Sequence, residues 1–598
     1  MKRLADVLFE YLAQKEIKDV FMVSGGGIMH LVDALGLNKN INYYCNNHEQ
    51  ASAICAESYS RLTGKLGVCL VTTGPGSTNA LSAIAGAFVD SIPLLVISGQ
   101  VRTAIISDYS KLRQLGPQEI NIDDMAKPVT KYFKTLKDPN LILFELEKAM
   151  KIAFEGRPGP VWLNLPLDLQ SALIDESNLE RFHESDNDNG KDETYNLKQS
   201  VKEMISLLTR SKRPVIVGGY GIRLSNSIEG FKEFVKKYKI PFVLTIGSMD
   251  IVSEDEPFFI GRFGPFGQRR ANFAFQNADL VIGIGTSFSL ASIGFDLRGF
   301  APSAKKVQIN IDCHELNKQI INIDLPICAD LKRFFETFKK EAIGINLKIQ
   351  DNWMPTCELW KEKYPIVDPN YTKNNDYINS YYFTHLLSTL TKGTNVFVTG
   401  NSLDIVSAYQ TFIISGSQRF FTNINFGAMG WDIPAAVGAC IGNNQKEVIL
   451  ITGDGSFQFN IQELMAIRYY KLPIKIFVFN NRGYQSIRSS QDNYFNSRYV
   501  GSDFNSGIGN PDFEKIAQAY ELKYFYLGND FELEDKLKNI ISESGSFICE
   551  LNLNEKQERS PRVSSFKHED GRLETRPLED MYPFLPREEI KKNMSFFD

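Results

Sequence analysis

A chain of 598 residues, 43% apolar and 23% charged, has the composition of a folded protein and the length of about three or four domains. Its formal net charge of -5 leaves no general basic face for nucleic acid or for an anionic membrane. The cysteines, Cys45, Cys55, Cys69, Cys313, Cys328, Cys357, Cys440 and Cys549, show no metal-ligand spacing and no disulfide framework, so reduced thiols in a cytoplasm are expected.

The opening MKRLADVLFEYLAQ reads as an amphipathic helix rather than a signal sequence, and no apolar run reaches the length of a membrane span. Residues 1–175 alternate helix and strand: DVFMVSGGG, KLGVCLVTTGPGS and IPLLVISGQ are apolar strands that end in Gly-rich turns. The polar, acidic stretch 176–196 reads as a linker without periodicity. A second α/β unit spans 197–345, with RPVIVGGYG, IPFVLT, ADLVIGIGTSF and KKVQINID as its strands, and 346–374 reads as a second linker. A third unit covers 375–557, and 558–598 looks like a tail with a short helix. The expected architecture is therefore α/β, three doubly wound parallel-sheet domains in one chain.

The third unit carries the most specific chemistry. In ILITGDGSFQFNIQELMAIRYYKLPIKIFVFNNRGYQSIR (449–488), two apolar strands flank a helical stretch in which Ile461, Leu464 and Met465 recur at helical spacing. Both strands present their carboxyl ends at one edge of the sheet, which receives Asp454 from the first and Asn480 and Asn481 from the second. A carboxylate, an amide oxygen and a nearby carbonyl are hard ligands, suited to Mg²⁺ holding phosphate oxygens. The plain alternative is a βαβ unit whose turn Asp caps its own helix.

GDGS at 453–456, with Asn480 following 24 positions after Ser456, resembles the cofactor signature of thiamine diphosphate-dependent enzymes. The resemblance implies Asp454, Asn481 and the Gly483 carbonyl as Mg²⁺ ligands, with Gly453, Gly455, Ser456 and Tyr484 around the diphosphate. HEQASAICAESYSRLTGKLGVCLVTTGPGSTNALSAIAGAFVDSIPLLVISGQ (48–100) resembles the pyrimidine-binding domain of the same enzymes, acetohydroxyacid synthase and pyruvate oxidase in particular. Glu49 then pairs with N1′ of the aminopyrimidine. A carboxyl in an apolar pocket exchanges a proton with that weakly basic nitrogen and favours the imino tautomer, whose nitrogen removes the C2 proton. A helix N-terminal glutamate favoured by the dipole is the plain alternative.

Gly74, Gly76 and Asn79 form an anion-friendly turn, and SGGGIMHL resembles the family's turn over the reactive carbon, which implies that Gly26 and Gly27 leave room for an acceptor; His30, one turn further on, either faces the site or is a surface or capped histidine. Gln118 in GPQE matches a substrate-side Phe-Gln-Glu segment, with Pro117 in place of the aromatic. NFGAMGWDIPAAVGA (425–439) resembles the segment that bends the cofactor. The resemblance implies Met429 as its wedge, with the Gly427 carbonyl and Met429 amide holding N4′ and N3′; a core-filling methionine is the plain alternative. Asn401 and Ser402 fall where the family contacts the diphosphate.

Two departures bear on substrate. Acetohydroxyacid synthase has an acceptor-selecting tryptophan where this chain has Ser490 or Gln491, and its Gly-x-Arg-Phe-Asp-Asp-Arg segment reads GTSFSLASIG here. Both count against branched-chain amino acid synthesis and make FAD doubtful, although GRFGPFGQRRANFAFQNAD (261–279) resembles the flavin-side loop. The runs GGGIMHLVDAL, NNRGYQSIR and PLEDMYPFL resemble acetolactate synthase-like proteins of bacterial surface-sugar gene sets, which implies a nucleotide-linked keto sugar as acceptor. The expectation is a carboligase acting on a 2-oxo acid donor, most simply pyruvate, and a carbonyl acceptor, assembled as a homodimer or homotetramer. A 2-oxo acid decarboxylase or 2-hydroxyacyl lyase is the alternative, and a non-catalytic binding protein of the same fold is a third reading.

Overall fold

In this computed structural model the described residues are 1–183, 190–318, 320–372, 376–393, 395–568 and 570–595. Three six-stranded sheets order the chain, and every strand pair within them is parallel. The strands are almost continuously apolar because helices cover both faces; Gly67–Val71, Leu280–Ile284 and Ile449–Ile451 are buried throughout.

The first and third sheets share one topology. The first runs Asn42–Cys45, Asp19–Met22, Gly67–Val71, Leu94–Gln100, Pro160–Pro166, Tyr132–Thr135. The third runs Arg419–Phe421, Val396–Thr399, Val448–Gly453, Ile474–Asn480, Phe547–Asn552, Lys523–Leu527. In each, the direction of winding reverses between the domain's first and third strands, and ligands of open α/β sheets collect beyond the strand ends at such a point. Those ends carry Ser24–Gly27 and Gly74–Gly76 in the first sheet, Gly400–Ser402 and Gly453–Ser456 in the third. The middle sheet, Phe259–Arg262, Phe242–Leu244, Pro214–Gly218, Leu280–Ile284, Lys305–Asn310, Leu325–Cys328, reverses between Pro214–Gly218 and Leu280–Ile284.

The outer domains are packed into one core. Helix Glu49–Thr63 lies along helix Asp432–Gly442, and a single apolar cluster runs from Phe21 through Trp431 to Ile548. The approach is so close that a Cβ on Gly438 would stand 2.1 Å from the Cys55 carbonyl oxygen. Between these helices, buried Arg61 pairs with Glu57 and Asp90, while the Trp431 indole donates to Glu57.

Several segments differ from the expectation. Helix Gly190–Arg210 begins inside the stretch read as the first linker, and residues 184–189 of that stretch lie outside the described residues. Helix Trp353–Lys363 occupies the second, with Trp353 and Trp360 fully buried on the middle domain. The helix of the tail is Arg587–Met594, but the tail folds back: Asn272 donates to the Leu578 carbonyl, Arg269 to that of Met581, and Leu578 and Met581 are buried. Two tryptophans seven positions apart in a polar stretch carry too little pattern to reveal such packing. Trp360→Ala is expected to destabilise the protein by about 3–5 kcal/mol, read from denaturant unfolding.

Two further corrections are local. Between the strands of the 449–488 unit the helix is broken into Asp454–Phe457, a turn at Ile461–Glu463, and Leu464–Tyr469. Met465 is 46% exposed while Glu463 is buried, accepting from the Asn46 amide and the Asn47 N–H. The cysteines are also not all thiols: Cys313 and Cys328, at adjoining strand ends of the middle sheet, are joined as a disulfide. Residues fifteen apart bring their Cα atoms to 5.4 Å only through the parallel pairing of Lys305–Asn310 with Leu325–Cys328, which spacing does not disclose.

Candidate active site

The end of strand Val448–Gly453 delivers Asp454 as the first residue of a short helix, with its carboxylate buried. Oδ1 accepts from the Gly455 N–H at 2.7 Å, and Oδ2 accepts from the Gly483 N–H at 3.0 Å and the Asn510 amide at 2.7 Å. Burial raises its pKa to about 6 against the pull of these donors. At the adjoining strand end the Asn481 side-chain oxygen is buried with no donor among the described residues. An orphaned amide oxygen and a desolvated carboxylate at neighbouring strand ends are donors that fit a hard divalent cation. The Gly483 carbonyl accepts from the Gln485 N–H at 3.2 Å, and its position demands glycine: φ is +130° and a Cβ would lie 2.4 Å from the Ser502 carbonyl oxygen.

Around this pair, Tyr484 stands against Gly455, where a Cβ would meet its ring at 2.4 Å and the Met429 methyl at 3.3 Å. Gly453 has open space beside it. Ser456 accepts from the Gly430 N–H and donates its one hydroxyl proton to Asp432, so that hydroxyl has none left for a phosphate oxygen and instead holds the Gly427–Gly430 turn. Asn401 donates to the Ala428 carbonyl from the other side, and Gly427 itself takes φ +64°. The Ser402 hydroxyl bonds that of Ser486, on helix Gln485–Tyr494. Gln491 does not stand free: it donates to the Val500 carbonyl and accepts from Ser502, while exposed Ser490 bonds back to Ser486.

Behind the turn lies an acid pair absent from the sequence reading. Asp432 and Asp404 are both buried, and a Cβ on Gly400 would fall 2.2 Å from one Asp404 oxygen and 3.0 Å from an Asp432 oxygen. Burial, with Asp432 adding like charge, pushes Asp404 up to about 7. The folded state thus holds a proton that the unfolded chain releases near pH 4, so stability falls as pH rises toward 7 and then levels. Asp404→Asn is expected to flatten the thermal midpoint across that window, read from melts at stepped pH.

At the first sheet, Glu49 opens helix Glu49–Thr63 with His48 as its cap. The Asn79 amide donates to Glu49 at 2.9 Å, and a Cβ on Gly76 would come within 3.5 Å of the same carboxylate, so the structure brings Glu49, Gly76 and Asn79 together. Gly27 is shut in by Thr73, 2.1 Å from any Cβ, and donates its N–H to Thr72, whereas Gly26 faces open space. Room beside this turn is therefore offered at Gly26 and not at Gly27. His30 is half-buried on the next helix. Gln118 is exposed in its side chain, at φ +62°, with its carbonyl against Gly74. Its neighbour Glu119 is the anchored residue, accepting from Ser107, Leu115 and Gly116 and held down at about 2 by these bonds against burial.

The two halves are linked within the chain. Asn460 donates to both the Gly430 carbonyl and Gln50, the residue after Glu49. Asp90 receives the N–H and amide of Asn425, at the start of the Asn425–Met429 segment. Asp250 of the middle domain pairs with Arg223 and with Arg419, which also donates to the carbonyls of Arg61 and Leu62. Among the described residues no hydrogen bond or ion pair joins Glu49 directly to Met429 or Asp454.

A cleft of about 340 Å³ opens at the reversal point of the middle sheet, against Asp90, Asn425, Gly221 and Thr286. Its two arginines are already neutralised, Arg61 by Glu57 and Asp90, and Arg157 by Asp312 and Glu315.

Comparison with known proteins matches residues 2–126 to the thiamine pyrophosphate enzyme N-terminal TPP binding domain, 201–338 to the central domain, and 400–551 to the C-terminal TPP binding domain. The chain is 31% identical over 573 residues to the acetolactate synthase large subunit of Lactococcus lactis subsp. lactis, covering 95% of each. It is 31% identical over 556 residues to the probable acetolactate synthase large subunit of Methanocaldococcus jannaschii, covering 92% of this chain and 91% of that one. Acetolactate synthase 1, chloroplastic, of Zea mays is 29% identical over 573 residues, covering 94% and 87%.

Proposed function

Because this chain belongs to the thiamine pyrophosphate enzymes and is acetolactate synthase-like over nearly its whole length, we propose that it is a carboligase, joining a decarboxylated 2-oxo acid to a carbonyl acceptor. The observation that carries the reading is the buried Asp454 beside the orphaned Asn481 oxygen. Asp454, Asn481 and the Gly483 carbonyl would hold Mg²⁺, and the first turn of Asp454–Phe457 would face the diphosphate. When bound, thiamine diphosphate supplies a carbanion-stabilising electron sink. Glu49 would hold and move the proton at the far ring, with Asn79 orienting its carboxylate. Met429 would wedge the space between, its turn fixed by Ser456, Asn401 and Asn460.

Pyruvate is the proposed donor, and the proposed acceptor is larger than a keto acid; open Gly26 and the absent tryptophan support that size. The remaining parts of the proposal are a homodimer or homotetramer, supported by exposed Phe426, Phe459 and Met465 near the site, and a cytoplasmic setting. That setting loses the support of an all-thiol cysteine set through the Cys313–Cys328 bond, and no described helix is long and apolar enough to cross a membrane. FAD is left out of the proposal: the middle cleft lines its walls with Asp90, Glu315 and Asp330, and its arginines have no charge to spare for a dinucleotide diphosphate. An absorption spectrum of the purified protein tests this.

The experiment for the whole reading incubates the protein with pyruvate, thiamine diphosphate and Mg²⁺ and identifies products by mass spectrometry across keto acids and nucleotide keto sugars. A ligated product supports the carboligase; acetaldehyde alone turns the reading to the decarboxylase, and no CO₂ from any 2-oxo acid overturns both.

A further inference from the structure

The strand that ends the third sheet continues into Asn554–Val563, and this stretch is held with unusual thoroughness. Gln485 donates to the Gln557 carbonyl and Arg488 to that of Glu555, both from the helix that follows the Asn481–Gly483 turn. Tyr381 accepts from the Ser560 N–H, Tyr371 donates to the Ser560 carbonyl, and Gln410 to that of Pro561. Arg562 then pairs through its backbone with Tyr582.

Two side chains of this fixed stretch are left over. Arg559 lies over the Phe266 ring at 5.2 Å and Arg562 over Tyr582 at 5.8 Å. Neither guanidinium has a carboxylate or hydrogen-bond acceptor among the described residues, and the Nε of each is buried without a partner. The arginines around them are treated otherwise. Arg262 and Arg270 share Glu254, Arg576 and Arg587 share Asp580, and Arg482 pairs with Glu555. Burial lowers the Arg559 pKa, and the like charge of Arg562 lowers it further. Two neighbouring guanidinium groups, each half-buried with an Nε that is buried and unpartnered on an over-determined backbone, favour an anion that completes them. A guanidinium fork matches phosphate and carboxylate oxygens in plane.

We propose that Arg559 and Arg562 form an anion subsite for a phosphate-bearing acceptor. This rests on the carboligase reading for the word acceptor, and on the geometry alone for the anion. Two unpaired positive charges call for about two negative ones, which a phosphate or diphosphate group supplies and the single carboxylate of a small keto acid does not. The backbone ties from Gln485 and Arg488 join the stretch that carries the two arginines to the helix that follows the Asn481–Gly483 turn, which places the charged end of a substrate away from its reacting carbonyl.

The test begins with the holoenzyme and inorganic phosphate, with acetate as the carboxylate arm, by titration calorimetry. Phosphate is expected to bind, at least tenfold more tightly than acetate, and Arg559→Gln with Arg562→Gln is expected to weaken it at least tenfold. Arg559→Lys, which keeps a charge, is expected to recover part of the loss. In turnover, the double variant should raise KM for a nucleoside-diphosphate keto sugar at least tenfold and KM for pyruvate less than twofold. No phosphate binding by the unaltered holoenzyme, equal affinity for acetate, or undiminished phosphate affinity in a folded double variant each overturns the subsite. If phosphate binds as expected and no keto acceptor is ligated, the subsite stands and the carboligase reading falls.

Discussion

Asp454→Ala is expected to abolish Mg²⁺-dependent binding of thiamine diphosphate, with affinity falling at least 100-fold, or about 2.7 kcal/mol, in a calorimetric titration. The size follows from what the carboxylate does in the fold. Three donors, from Gly455, Gly483 and Asn510, are aimed at it, and burial makes its charge valuable only to a cation close by. Removing it leaves those donors unpaired and Asn481 as the one remaining side chain of the proposed metal site. Unchanged affinity would sink the metal assignment. The same variant need not unfold: the residue sits at a strand end, outside the apolar cluster that spans the outer domains.

Glu49→Gln should keep the cofactor and lose turnover by roughly 10²- to 10⁴-fold, the range for removing a general acid–base group. The amide preserves shape and still accepts from Asn79, so binding is spared while proton exchange is lost. A variant turning over at near-normal rate refutes the proton role and leaves Glu49 as a helix-start residue. Separating turnover from cofactor affinity is what makes the experiment decisive, because loss of both together points to a damaged turn at Gly74–Asn79.

The parts of this protein legible from sequence are those written in contiguous residues. Strands such as Ile474–Asn480 announce themselves as apolar runs, and the Gly-Asp-Gly turn with its following asparagine pair names a chemistry by donor type. What escaped was written across the chain. Asp432 stands in the quoted GWDIP run, but its meaning depends on Thr452, Ser456 and Asp404. Glu57, Arg61 and Asp90 look like surface charges until Trp431 and Asn425 arrive from the third domain. Asn510 had no local signal at all, because only the fold brings it to Asp454. Met465 turns outward and Glu463 inward because the helix between the strands is broken, and a periodicity that assumes one continuous helix misplaces Met465. The same holds for Gly27, whose smallness serves packing against Thr73, while its neighbour Gly26 keeps the open side.

The joint between helices Glu49–Thr63 and Asp432–Gly442 has a consequence for how this chain is made. Glu57 and the Trp431 indole that caps it are separated by 374 positions, which at roughly 5–20 residues per second is about 20–75 seconds of synthesis. Through that interval the emerging first domain presents Ala53, Cys55, Ala56 and Tyr59 without the surface that will cover them. Ribosome-bound chains of this protein therefore expose that surface for the whole interval, and lengthening or shortening the wait, by slowing or hastening translation between the two helices, is expected to change yield with no change in the finished enzyme.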